Sequence, residues 1–196
     1  EQLEATGFDL IIIESAWEGN GGEWTRGIGH YSDEESADLR GLLESARSKG
    51  IPTLFWNKED PVHFARFAPN AALCDHVFTT DANMIPKYHS VENQRNITIS
   101  SLPFYAQPKI HNPLPKGREF SSSIAYAGSY YGERYAQRSK SLDLLLSAAS
   151  EYPLAIYDRQ ANNPESPYTF PEKYRSSVQG ALPYNEVITV SYTHLR

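Results

Sequence analysis

Four prolines, Pro103, Pro108, Pro113 and Pro115, interrupt the stretch from Pro103 to Gly117. Proline fixes φ and has no N–H, so it cannot sit in a helix interior or pair inside a sheet. The residues on either side therefore read as separate bodies, joined by a stretch that the prolines stiffen. This places a first domain at 1–104, a linker at 105–119 and a second, partial domain at 120–189. A length of 196 residues accommodates that division, because domains run to ~100–200 residues.

Apolar strand-like runs and helical patterns alternate before the break. Phe8 to Ile13 is an isoleucine-rich run that suits a strand buried on both faces of a parallel sheet. A Gly-rich loop with Trp17 and Trp24 follows. Ser32 and Glu35 have capping-box spacing. Leu39, Leu42, Leu43 and Ala46 then recur on one helical face. Gly50 is placed to stop that helix, with Pro52 beyond it. Further strands are expected at Ile51 to Trp56, His76 to Thr79 and Ile97 to Leu102, with a short helix from Pro61 to Phe67. This order argues for a right-handed parallel α/β sheet.

The alternation restarts after the break. Ile124 to Ala127 reads as a strand and Gly128 to Gly132 as a loop. Leu142, Leu145, Leu146 and Ala149 repeat the helical spacing, and Leu154 to Tyr157 reads as another strand. A helix starts near Glu186 and is soon cut off, leaving too few elements for a complete doubly wound sheet. Glu1 opens without an initiator Met or a helix cap. The sequence therefore reads as a fragment.

Composition removes several function classes. Hydrophobic residues make up 40% and charged residues 21%, too apolar for a disordered chain. The run from Leu10 to Ile13 is far too short for a transmembrane span. A net charge of −6 argues against a general nucleic-acid binder. The single cysteine, Cys74, excludes an intrachain disulfide and a Cys-based zinc site, which suits a reducing, cytoplasmic compartment.

Ligands of open α/β sheets bind beyond the carboxyl ends of the strands. Polar residues collect at those ends: Glu14, then Asn57 to Asp60, Thr80 and Asp81, and Asp158 and Arg159. The turn at Gly128 and Ser129 leads into a helix expected near Glu133. Free N–H groups at a helix start attract anions. Arg134 and Arg138, one turn apart, oppose the macrodipole there by ~0.3–1 kcal/mol each, and an anionic ligand would explain them. Metal chemistry is the competing reading. His63, His76, His89 and His111 have no metal-binding spacing, although ligands can gather from distant segments.

Several runs strongly resemble the CgeB-type spore maturation proteins. They are Glu14-Ser-Ala-Trp-Glu-Gly-Asn20, Pro52-Thr-Leu-Phe-Trp-Asn-Lys-Glu-Asp-Pro-Val-His-Phe64, Val77-Phe-Thr-Thr-Asp81 and Leu102-Pro-Phe104. Ala127-Gly-Ser-Tyr-Tyr131, Ile156-Tyr-Asp-Arg159 and Gly180-Ala-Leu-Pro-Tyr184 add to the likeness, which covers about residues 8 to 189. The resemblance implies a GT-B glycosyltransferase: two Rossmann-like domains facing across a cleft, the second incomplete. Family members continue past Tyr184, whereas residues 190–196 look like a non-native tail of translated adapter sequence.

The implied reaction moves a sugar from a nucleotide-sugar donor to a hydroxyl of a carbohydrate or of a cell-surface or spore-coat acceptor. It needs a base on the acceptor and charge stabilisation on the leaving diphosphate. The resemblance implies no metal and no other cofactor. Asp60, Glu59 and Glu14 are the candidate bases. Gly128, Ser129, Tyr130, Arg134 and Arg138 would hold the donor, and Trp17, Asn20, Trp24 and Lys58 the acceptor. A non-catalytic GT-B-like binding protein is the alternative, and a metal-dependent hydrolase is a third. The fragment alone is expected to be inactive.

Overall fold

A computed structural model describes residues 7–91, 96–109, 123–183, 186–187 and 190. The chain divides into two units, Glu1–Tyr105 and Ala106–Arg196. Each is α/β with a parallel sheet, compatible with a Rossmann-like domain. Most of the expected linker, at 110–119, and the expected tail, at 191–196, lie outside the described residues.

The first unit holds β1 (Ile11–Glu14), α1 (Ala37–Ser48), β2 (Thr53–Asn57), α2 (Phe64–Ala71), β3 (His76–Thr79), α3 (Ile85–His89) and β4 (Thr98–Ser101). Its sheet order is β1-β2-β3-β4, and every pair is parallel. The register aligns Ile13, Phe55, Val77 and Ile99 in one row. That row packs against Leu39 and Leu43 of α1, Phe67, Ala68 and Ala71 of α2, and Met84 and Tyr88 around α3. All three helices therefore cover the same face. Among the described strands the order never reverses, so they form no topological switch point of the kind that binds ligands in doubly wound folds.

The helix stop at Gly50 is a complete Schellman motif. Gly50 has φ +68°, its N–H donates to Arg47 O at 3.0 Å, and the Ile51 N–H donates to Ala46 O at 2.9 Å. Other expectations need correction. Ser32 Oγ accepts the Glu35 N–H at 3.2 Å, but the Glu35 carboxylate turns to Arg26 and α1 begins only at Ala37. Residues 61–63 form a turn, so α2 starts at Phe64 and runs past Pro69 to Ala71. The isoleucine-rich run is not buried on both faces. It forms an edge strand, and Ile12, on the face opposite the helices, is 60% exposed.

The second unit holds β5 (Ile124–Gly128), α4 (Ala136–Ala149), β6 (Leu154–Asp158) and β7 (Val178–Gly180). Its sheet order is β5-β6-β7, again parallel. Leu142 and Leu146 of α4 pack on Ile156 and Tyr174, with Tyr126, Tyr130 and Phe170 around them. Leu145, expected on that face, is 67% exposed. A sheet this narrow supports only the Leu142–Leu146 ridge, and the neighbouring leucines point outward. Two 3₁₀ turns frame α4 and β7, at Gly132–Tyr135 and Glu172–Ser177. The first delays the helix, so α4 starts at Ala136 rather than near Glu133.

Candidate functional site

The carboxyl ends of β1, β2 and β3 bring several predicted residues together in the first unit. Asp60, in the loop after β2, is 9% exposed. Its Oδ1 accepts from Asn57 Nδ2 at 2.9 Å, and its Oδ2 accepts from the Thr79 hydroxyl at 2.7 Å and the Tyr88 hydroxyl at 3.0 Å. Asn57 Nδ2 also donates to the Tyr88 oxygen at 2.8 Å. The Thr79 oxygen accepts the Asp81 N–H at 3.2 Å. Burial pushes the Asp60 carboxyl up, while the Thr79 and Tyr88 hydroxyls pull it back. Burial also pushes the Tyr88 phenol up. Asp60 thus ties the ends of β2 and β3 to α3 through a closed network. The peptide from Asp60 to Pro61 is cis.

The other two candidate bases are more open. Glu14 ends β1 and pairs with Lys58, whose N–H donates to Ser15 Oγ at 2.8 Å. Glu59 lies 3.9 Å from His63 Nε2. The predicted acceptor residues separate. Trp17 packs edge-on against His63 and Phe67, with centroids 4.9 and 5.2 Å away. Asn20 and Trp24 instead line a groove of about 460 Å³ beside the outer edge of β1, together with Glu14. Among the described residues no group of three or more His, Cys, Asp or Glu side chains gathers to hold a metal. No helix among them is long and apolar enough to cross a membrane.

The second unit carries a denser arrangement. Gly128 aligns with Asp158 across β5 and β6, so the residues after both strands emerge side by side. Arg159 Nη2 donates to the Tyr131 hydroxyl at 2.9 Å, and Arg134 Nη1 donates to the Tyr168 hydroxyl at 2.9 Å. The Arg138 guanidinium lies 5.5 Å from the Tyr131 ring centroid. Tyr131 contacts Tyr135 and Tyr168 edge-on, with centroids 5.3 and 5.2 Å apart. All three arginines are exposed, and none is within ion-pair distance of a carboxylate among the described residues. Burial works to raise the Tyr131 phenol, but Ser129 and the Arg159 and Arg138 guanidiniums hold it below its ordinary value.

Gly128 lies under the Tyr126 phenol in a close approach. A Cβ there would lie 2.7 Å from the Tyr126 hydroxyl. Ser129 is 1% exposed, and its hydroxyl, although near Tyr131, makes no hydrogen bond of full geometry. Tyr130 packs on Phe170 with centroids 5.7 Å apart and belongs to the core of this unit. Arg159, Tyr131 and Tyr168 join Arg134 and Arg138, and sequence reasoning did not group them. The signal for Arg159 was its place directly after a parallel strand. Tyr168 lies in a loop that gave none. Compared with known proteins, the chain matches no family model, no curated protein and no solved structure.

Proposed function

We propose that this chain serves in glycosyl transfer from a nucleotide-sugar donor to an acceptor hydroxyl, in a GT-B-type arrangement, with the unit of β5–β7 on the donor side. The observation that carries this reading is the cluster of Arg134, Arg138 and Arg159, which has no carboxylate partner among the described residues and lies beside a buried Ser129 hydroxyl with no full hydrogen bond. Guanidiniums recognise phosphate oxygens through paired N–H donors, and Tyr131, Tyr135 and Tyr168 offer aromatic faces to a base or a sugar ring. The likeness of the motif runs to the CgeB-type proteins supports the same reading. Glu14 and Glu59, more open than Asp60, are the better candidates for the acceptor base.

The test is calorimetric titration of the chain with nucleoside diphosphates. The expected result is measurable binding that Arg134→Ala and Arg159→Ala each weaken about tenfold or more, since a hydrogen bond to a charged group contributes ~1.5–3 kcal/mol. Absence of heat with every nucleoside diphosphate, or affinity unchanged in both variants, rejects the reading. A second reading, binding without catalysis, is favoured by the engagement of both Asp60 oxygens and of Glu14. It would be selected if donors bind but no nucleotide sugar is ever hydrolysed or transferred.

A further inference from the structure

The outer edge of β1 leads beyond glycosyl transfer, and three observations meet there. The first is backbone direction. The Ile11 N–H donates to Pro52 O and the Ser15 N–H to Trp56 O, each at 3.0 Å. Successive N–H and C=O groups of a strand point to alternate sides, so those of Leu10, Ile12 and Glu14 point away from β2. No described strand pairs with them. The second is that the described edge is lightly guarded, with Glu14 at its end as the one charged residue between Leu10 and Glu14. From Leu10 to Glu14 there is no proline and no lysine, the usual devices against edge pairing. The third is apolar surface. Leu10 and Ile12 are 42% and 60% exposed, and the adjoining groove is walled by Trp24, Ile28, Leu39 and Leu42.

We propose that β1 pairs antiparallel with β1 of a second copy of this chain, about a two-fold axis at Ile12, joining two four-stranded sheets into one. A two-fold interface demands an edge complementary to itself, and this edge satisfies the demand. Outward-pointing residues must face outward-pointing residues, so only alternate registers can form a ladder. The register centred on Ile12 sets Ile12 against Ile12, Ile11 against Ile13, Leu10 against Glu14 and Asp9 against Ser15. No carboxylate faces a carboxylate, which would be destabilising. The register centred on Ile11 sets only Leu10 and Ile12, of the three outward-pointing residues, against one another and leaves Glu14 facing Phe8. The register centred on Ile13 sets only Ile12 and Glu14 against one another and leaves Leu10 facing Ala16. An axis perpendicular to the sheet keeps the helices of both copies on one face. α1 then meets its counterpart, and the groove walls, Leu42 and Trp24 among them, close on each other.

The experiment is size-exclusion chromatography with light scattering at micromolar concentration. The expected mass for the unaltered chain is twice that of one copy. Ile12→Pro should halve it with an unchanged far-UV spectrum, because the lost N–H points away from β2 and edge strands accept proline. Ile12→Cys should yield a covalent dimer with a short thiol cross-linker, since a hydrogen-bonded antiparallel pair holds its Cα atoms ~5.5 Å apart. Leu54→Cys, on the same face one strand further in, should not. The native Cys74 is buried and does not compete. A single-copy mass for the unaltered chain overturns the proposal. So does a dimer that survives Ile12→Pro, or one in which Ile12→Cys fails to cross-link. Should Ile12→Pro unfold the chain, the cysteine pair decides. Nucleoside diphosphate binding is read separately, so either proposal can fail while the other stands.

Discussion

Replacing Tyr88 with Phe removes one oxygen and leaves the ring packed on Phe64, with centroids 4.8 Å apart. That oxygen donates to Asp60 Oδ2 at 3.0 Å and accepts from Asn57 Nδ2 at 2.8 Å. Asn57 and Asp60 are both buried, so water cannot readily replace what is lost. Asn57 keeps its bond to Asp60, and Asp60 keeps Thr79, so the network is weakened rather than emptied. The expected loss at neutral pH is ~1–3 kcal/mol, the range for a buried hydrogen bond to a charged partner. It should lower the midpoint of thermal unfolding by roughly 4–8 °C per kcal/mol in a unit of this size.

The pH dependence gives the sharper test. The Tyr88 bond lowers the Asp60 pKa, so Tyr88→Phe leaves the folded carboxyl raised further above its usual value. The stability owed to the bond is therefore present while the folded carboxyl is ionised in both proteins, and it fades as pH falls through the two folded pKa values. Urea unfolding at pH 7.5 and at successively lower pH, followed by tryptophan fluorescence, reads this directly. Trp17, Trp24 and Trp56 all lie in the first unit. A loss from Tyr88→Phe that stays constant or grows on acidification would refute the charged network.

Three further substitutions probe other parts of the molecule. Phe55→Ala empties a position with 0% exposure at the centre of the first core and should cost ~3–5 kcal/mol by the same tryptophan-detected urea unfolding. Gly50→Ala meets no neighbouring atom but must hold φ +68°, so it should cost ~1–2 kcal/mol through backbone strain alone. Equal midpoints for Gly50→Ala and the unaltered chain would contradict the Schellman assignment. Gly128→Ala pushes a methyl group against the Tyr126 phenol and should destabilise the second unit by ~1–3 kcal/mol, read by tyrosine near-UV dichroism during thermal unfolding.

The strand-and-helix order was legible because it depends on local pattern. His76 to Thr79 has the same limits in sequence and structure, and Gly50 stops α1 as its position implied. Periodicity could not say which strand lies at an edge, so the run ending at Ile13 read as central while Ile12 stands in the open. It also could not measure the sheet under α4, and so placed Leu145 inward. Short elements left too little pattern to detect. α3 begins at a proline-bearing turn, and β7 has three residues. Asp60 was visible as a strand-end carboxylate, but its partners Thr79 and Tyr88 lie 19 and 28 residues away. Only the folded sheet reveals that its oxygens are already taken. The convergence of Arg159 with Arg134 likewise follows from the parallel register of β5 and β6, which no local pattern encodes.

The second unit rests on four buried side chains in its described core, against twelve in the first. Less apolar area leaves water there on folding, so the two halves of the chain should melt at different temperatures, the arginine-bearing half earlier. An anion seated among those arginines would hold that half closed, by ~2.7 kcal/mol at a hundredfold excess over its dissociation constant. Occupancy would therefore move the earlier of two transitions and leave the tryptophan-reported one in place. A scan of candidate anions then needs nothing more than a thermometer and an ultraviolet lamp.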